Sequence, residues 1–425
     1  MFYSNKQSGS VYKPVLLAFS VLALAACSSN DDSDGADDAV DAGEVVTTTD
    51  PTSGIDPVQS DDPDGADNTG AAGFAFVSGA TPSFDAGQIE RLTIGDTIEG
   101  SGSYPATLSD IVVRTDGSDI YQVGRFGIDS ITRFTTNELT TPVYQYSVLQ
   151  GEASPNTTDI VFASETKAYV LQAAGTEILI VNPSAATAEE FITGSIDISV
   201  YDVDAPDAVN GVVANGRLFV LMQRLTGFNP DKVGYVAVFD VETDTEIETG
   251  RGSDGLNGIE LNTLNPGSLQ YVAEMNEVVV SGRGNIFVEF NELPGDPYQG
   301  GVEVIDADSF ALDLLVDDGT ADNNQGFFSA SHINSGTRGY VITSSGFANN
   351  TLRSFNPMTG LLDDAVVAGL EGLDLITLAT GPAGRVWVAI GGVEPGFVLI
   401  NPTDNSEVAR VATEFVPNHV VFTGN

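Results

Sequence analysis

From Phe74 onward the chain alternates short apolar runs with Gly, Pro, Asn and Asp, and almost no stretch carries a helical period. A paired motif recurs: one apolar strand, a few turn residues, then a second strand that often ends in Asp or Asn-Pro. First members are Ile120-Tyr-Gln-Val, Ala168-Tyr-Val-Leu-Gln, Leu218-Phe-Val-Leu-Met, Val278-Val-Val, Gly339-Tyr-Val-Ile and Val386-Trp-Val-Ala-Ile. Second members are Ile178-Leu-Ile-Val-Asn-Pro, Tyr235-Val-Ala-Val-Phe-Asp, Val302-Glu-Val-Ile-Asp, Leu352-Arg-Ser-Phe-Asn-Pro and Phe397-Val-Leu-Ile-Asn-Pro. Another apolar strand precedes each pair, as in Asp110-Ile-Val-Val and Asp159-Ile-Val-Phe. A polar outer strand follows, as in Glu246-Ile-Glu-Thr and Glu407-Val-Ala-Arg-Val. Four strands at a period of about 50 residues is the pattern of propeller blades.

Inner strands fall at Asp110, Asp159, Val209, Leu269, near Ser331, at Leu375 and at His419-Val-Val-Phe. The last has no blade after it, whereas Phe74-Ala-Phe-Val and Gln88-Ile-Glu-Arg-Leu-Thr-Ile open a blade lacking its own inner strand. The two deficits cancel if the C-terminal strand completes the N-terminal blade, which removes an open edge. The expectation is an all-β fold: a seven-bladed β-propeller over 73–425, closed by a C-terminal strand. Eight blades, through a miscount near 251–266, or a split into two domains are the rival counts. The strand–turn–strand repeat with Tyr-Val and Val-x-Asn-Pro resembles the YVTN-type seven-bladed propellers of bacterial surface and periplasmic proteins. That resemblance implies the fold and says little about chemistry. Long inserts at 223–234 and 281–301 depart from the type.

The N-terminal part reads differently. Residues 1–26 hold Lys6 and Lys13 and no acid, then an apolar run from Val15 to Ala26 ending in small residues. This is the layout of a secretory signal peptide. At about 12 residues the run is too short for a span that needs about 20. Leu24-Ala25-Ala26-Cys27 matches the lipobox of bacterial lipoproteins, and Cys27 is the only Cys of 425 residues. The resemblance implies a diacylglyceryl-modified, palmitate-bearing Cys27 as membrane anchor. Ser28 rather than Asp after it implies an outer-membrane destination, periplasmic or surface-facing. Residues 27–72 follow, rich in Asp, Gly, Ala, Ser, Thr and Pro without Lys or Arg. Such a composition cannot bury enough surface to fold, and predicts a disordered acidic tether.

Charge narrows the function. There are 16 basic residues against 60 acidic ones, a formal charge of -44. A nucleic-acid partner needs a basic face, so none is expected. The charge suits solubility, cation association or a saline habitat.

Propellers bind ligands where the loops between second and third strands meet the channel. Arg125, Arg224 and Arg283 fall just after the second strand of the second, fourth and fifth blades, a place where guanidinium forks suit an anionic ligand or partner loop. Nearby acids such as Asp129, Asp231 and Glu289 offer them a purely structural pairing. Lys167, Arg217, Arg338 and Arg385 recur before the second strand on the opposite face, which points to a role in the repeat. The long inserts carry Phe228, Phe287, Phe290 and Tyr298, suited to a protein or glycan partner or to a lid packed on the rim.

The catalytic inventory is thin. His332 and His419 are the only histidines, both on inner strands. No Gly-x-Ser-x-Gly motif or His/Cys metal cluster occurs, and no Gly-rich loop opens a helix. His332 is a candidate general base. Asp317, Asp318, Asp322 and Asn324, in an inter-blade loop, are oxygen ligands suited to calcium, the one cofactor in view. The leading reading is a non-enzymatic binding or scaffolding propeller. The alternative is a lactonase-like propeller hydrolase using calcium or His332.

Overall fold

The computed structural model describes residues 73–151, 153–285, 298–320, 322–344 and 350–424. Cys27, the leader, the acidic linker, Phe287 and Phe290 lie outside them.

Seven four-stranded antiparallel sheets form a seven-bladed propeller. The second blade contains, from the centre outward, Ile111–Thr115, Asp119–Gly124, Ser130–Thr135 and Tyr144–Ser147. The third to seventh blades repeat this order, with inner strands Thr157–Ser164, Ala208–Ala214, Pro266–Val272, Phe327–Ser335 and Leu375–Thr380. The first blade takes its inner strand from the other end of the chain: Val416–Gly424 pairs antiparallel with Gly73–Ala80. The closure expected from the two deficits is therefore present, and the rival counts are set aside.

The second strand of each unit is buried on both sides because each blade is covered by two neighbours. Side chains alternate in direction along a strand, so one strand serves two interfaces. Leu218, Val220 and Met222 pack toward the third blade, while Phe219 and Leu221 pack toward the fifth. The core consists of apolar clusters that each bridge one pair of adjacent blades. One joins the seventh blade to the first through Trp387, Ala389, Ala75 and Val77.

A backbone clip recurs where the inner strands of the second, third, fourth, fifth and seventh blades begin. The carbonyls of Asp110, Asn156, Asp207, Asn265 and Asp374 accept the N–H of Arg125, Ala173, Gln223, Arg283 and Gly391 respectively. Asn156, Asp207 and Asn265 adopt φ of 53°, 55° and 50°, a region that Asn and Asp enter more readily than other side-chain-bearing residues. In these five blades the clip fixes where the second strand ends relative to the inner strand of its own blade.

The fourth blade corrects one expectation. Glu246-Ile-Glu-Thr does not form its outer strand; Glu246 makes a single bridge to Phe239, and Ile259–Glu260 is the outer strand proper. The intervening chain is drawn out by Tyr201, whose hydroxyl donates to Glu246 Oε1 and accepts the Gly258 N–H at 2.8 Å.

Candidate functional site

The inner strands of all seven blades line an axial cavity of about 350 Å3. Inner strands start on the face that carries the second-to-third-strand loops and the connections between blades. This is the loop face; the tight turns between first and second strands lie on the opposite face.

Nearer the loop face, one polar network crosses four blades. Arg114 Nε lies 2.6 Å from Asp159 Oδ1, and Asn210 Nδ2 donates to Asp159 Oδ2 at 2.6 Å. Asn210 Oδ1 in turn accepts the Leu269 N–H at 2.6 Å. The backbone N–H groups of Ile160 and Gly211 complete the shell of Asp159, which is 1% exposed. His419, on the closing strand, joins this layer with a buried Nδ1 that has no hydrogen-bond partner. Burial, with the positive charges of Arg114 and Arg125, holds its imidazole well below the usual histidine range.

Toward the tight-turn face a second layer forms. His332 Nε2 and Thr380 Oγ1 are 2.7 Å apart, and the Thr380 hydroxyl donates to Asn334 Oδ1 at 2.9 Å. Burial pushes His332 down to about 4, so the ring is neutral at neutral pH. The neutral imidazole is held in place by the Thr380–Asn334 pair.

The rim arginines divide. Arg125 and Arg283 occupy equivalent positions, each with its N–H on the Asx carbonyl of the clip. Arg224 sits one residue later: Gln223 takes the clip position, and Arg224 N–H bonds to Pro206 O. A one-residue shift turns a side chain to the other side of a strand end. Arg224 accordingly lies over the Tyr235 ring, 4.9 Å from its centroid, and donates to the carbonyls of Tyr201 and Val233. Gln223 is buried instead, donating to Asn265 Oδ1 and Pro266 O.

Lys167 and Arg217 pair with Asp244 and Asp308 of the following blade, and Arg338 with Asp363 of its own. These contacts stitch the tight-turn face together.

The first long insert is tied down by Lys232 Nζ to Asp202 Oδ2 at 2.6 Å, yet Phe228 remains 46% exposed and so does not pack as a lid. The second is shorter than its sequence bounds, because its flanking strands run to Arg283 and resume at Gly300. Tyr298 at its end is half-buried. The exposed phenylalanines among the described residues are Phe84, Phe126 and Phe228, at 58%, 50% and 46%. All three lie in second-to-third-strand loops of the loop face, where Leu108, Leu149, Val203 and Val393 are also exposed.

The calcium candidates do not converge. Asp317 Oδ1 accepts the Gly319 N–H, Asp318 Oδ2 the Gly300 N–H and Asn324 Oδ1 the Gly326 N–H, while Asp322 is exposed. No group of three or more His, Cys, Asp or Glu among the described residues is placed to hold a metal.

Sequence reasoning did not single out Arg114, Asp159, Asn210 or Gln223. The Asx residue before each inner strand was a visible signal for the clip. Nothing local marked which side chains would meet across the channel.

No protein-family model and no curated protein matches the chain. Among solved structures it is similar to a protein from Lactobacillus plantarum, at 14% identity over 83% of this chain and 99% of that one, with a TM-score of 0.55. Apo AztD from Citrobacter koseri gives 11% identity over 83% and 98%, with a TM-score of 0.49. The dihydro-heme d1 dehydrogenase NirN, in complex with DHE, gives 13% identity over 86% and 77%, with a TM-score of 0.48. At such identities the likeness is one of fold.

Proposed function

We propose that this chain is an envelope lipoprotein, anchored through Cys27, whose propeller recruits a protein or glycan partner on its loop face. The observation that carries the reading is the gathering of exposed aromatics: Phe84, Phe126 and Phe228 all stand on loops of one face. Phenylalanines about half exposed on one face offer apolar area for burial on binding, and aromatic side chains dominate the energetics of interfaces. The opposite face carries the ion pairs of Lys167, Arg217 and Arg338 and exposes no phenylalanine among the described residues, although Met358 and Leu361 are exposed there. The acidic segment 27–72 would hold the ring away from the membrane and leave that face accessible.

The test places a photo-crosslinking residue at Phe126 or Phe228, and at Met358 in a tight turn of the opposite face, in cells making the full chain. The reading expects one defined adduct from the loop-face positions and none from Met358. Equal adducts from both faces, or none from the loop face, would remove it. Replacing Phe84, Phe126 and Phe228 by Ser should abolish the adduct while leaving the melting temperature within a few degrees, since the three side chains already face water.

A further inference from the structure

Residues 81–86 join the second and third strands of the first blade, and their conformation is fixed several times over. Phe84 N–H donates to Thr81 O and Thr81 N–H to Ala86 O, both at 2.9 Å, while Thr81 Oγ1 accepts the Asp85 N–H at 3.2 Å. These bonds hold Phe84 at φ 56°, in the left-handed region. Gly, Asn and Asp enter that region most readily, and a bulky ring there is an outlier that the surrounding structure must enforce. Most other non-glycine residues with positive φ among the described residues are Asn or Asp. Two large ones use their side chains within the fold. The Phe310 ring lies 6.3 Å from that of Phe219 and meets the Arg217 guanidinium, and Arg224 covers Tyr235. Phe84 differs: its ring is 58% exposed and belongs to none of the core clusters. The fold strains a backbone to hold out a ring that its core does not use.

Phe84 does not stand alone. Ser109 Oγ donates to Phe84 O at 2.7 Å, and Gly87 and Thr107 exchange backbone hydrogen bonds at 2.8 Å. From the other side, Arg125 N–H donates to Asp110 O at 2.9 Å. The connection 107–110 between the first and second blades is therefore gripped by the Phe84 loop and by the corner that carries Phe126. Leu108, in its middle, is also 58% exposed. Three apolar side chains from separate segments thus face solvent at one corner of the loop face.

The charge beside them has one sign. Asp85 is exposed, and hydrogen bonds from the Thr81 and Ser83 hydroxyls hold its carboxyl below the usual range, so it is ionised at neutral pH. Glu394 and Glu414 are exposed on the neighbouring loops toward the seventh blade. Across 81–86, 104–110, 125–129, 391–395 and 413–415 the one basic residue is Arg125, which is buried and paired with Asp110. An apolar corner flanked by carboxylates complements a cationic surface that carries apolar side chains. A second copy of this chain, at a formal charge of -44, meets like charge there, as does an anionic membrane. A neutral glycan leaves the carboxylates without a counter-charge.

We propose that this corner is the anchor site for a basic segment of a partner protein that carries apolar side chains. Phe84, Leu108 and Phe126 bury against those side chains, and Asp85, Glu394 and Glu414 face the partner's basic groups. The fixed loop holds the Phe84 ring in its binding position before the partner arrives, so less freedom is lost on association. This deepens the reading of the loop face as the recruiting face and rests on it.

The experiment is calorimetric titration of the purified full chain with a Lys/Phe peptide, the same peptide with Glu replacing Lys, and maltohexaose. The Lys/Phe peptide should bind, less tightly as salt rises, and the other two at least roughly tenfold more weakly. Phe84→Asn removes the ring yet suits the left-handed backbone. It should weaken the peptide by roughly tenfold or more while the melting temperature holds or rises. Leu108→Ser should weaken it as well, Asp85→Asn should reduce the salt dependence, and Met358→Ser, on the opposite face, should do neither. Undiminished binding in Phe84→Asn or a lowered melting temperature in that variant would overturn the proposal. So would equal binding of the Glu peptide, a preference for maltohexaose, or no binding of the Lys/Phe peptide. Crosslinks at Phe126 and Phe228 that persist undiminished in Phe84→Asn keep the loop face and remove its anchor; crosslinks that never form remove the loop face itself.

Discussion

Ser78 and Asn418 stand 340 positions apart in the chain and share a hydrogen bond, the Ser78 hydroxyl donating to Asn418 Oδ1. The same pair grips the second blade: Val113 N–H donates to Ser78 Oγ at 3.1 Å, and Asn418 Nδ2 donates to Ile111 O at 2.9 Å. The clasp thus joins the strand that starts the ring, the strand that ends it, and the next blade.

Asn418→Ala should cost about 1–3 kcal/mol, since it leaves buried groups of two strands unsatisfied. Urea unfolding measures it. The only tryptophan supplies a local readout, because Trp387 packs edge-on against Phe422 of the closing strand at 5.1 Å between ring centroids. In the variant its emission should shift to the red at lower urea than the circular dichroism changes. Coincident transitions would show that the ring opens only as a whole.

Asp159 receives Arg114, Asn210 and two backbone N–H groups from the inner strands of three blades. Asp159→Asn strands a guanidinium in the channel and replaces an acceptor by a donor facing Asn210. A loss of about 3–5 kcal/mol is expected, as for removing one partner of a buried pair. Asp308→Asn, at the half-exposed Arg217 pair, should cost less than about 1 kcal/mol. Similar losses at the two sites would contradict the role given to Asp159.

Acid should destabilise the ring through its histidines. A histidine whose folded pKa lies below its unfolded value favours folding fully above the unfolded pKa, and that contribution is lost as the pH falls. For His332, ordinary 6.5 in the unfolded chain and about 4 in the fold, the loss begins near pH 6.5 and is complete near pH 4. At about 1.4 kcal/mol per pH unit the upper bound is about 3 kcal/mol, reduced by whatever channel water solvates the imidazolium. His419 acts in the same direction. Stability curves from pH 7 to 4.5 should flatten in His332→Gln; an unchanged slope would place the acid sensitivity elsewhere.

The anchor is testable without structure. Cells fed an alkynyl palmitate analogue should label the mature chain, and Cys27→Ser should abolish the label and release the protein from the membrane fraction. Label retained in Cys27→Ser would exclude Cys27 as the modified residue, because the chain has no other cysteine.

The blade pattern was legible along the chain because burial in a propeller is local and periodic. Strand Arg217–Met222 buries both faces, so Leu-Phe-Val-Leu-Met reads as a strand with no partner in view. The missing inner strand at Phe74 and the surplus one at His419 foretold the clasp. The rim was read less well. Arg125, Arg224 and Arg283 look equivalent by distance from an apolar run, but the clip assigns the fourth-blade place to Gln223. The spacing between the Asx and the strand end is not constant from blade to blade, so counting could not find the slip.

By itself, then, the sequence determined the strand period and pointed to seven blades and their closure, because these follow from alternation and from pairing an open edge; the sheet order set aside the rival counts. Only the tertiary structure decided that Gln223 takes the clip position of the fourth blade, that Arg224 turns onto Tyr235, and that Asp159 binds Arg114 and Asn210 of flanking blades. Those contacts depend on how strands from distant parts of the chain are staggered around one axis. A stagger of one residue changes which side chains meet, while leaving the apolar pattern of every strand intact.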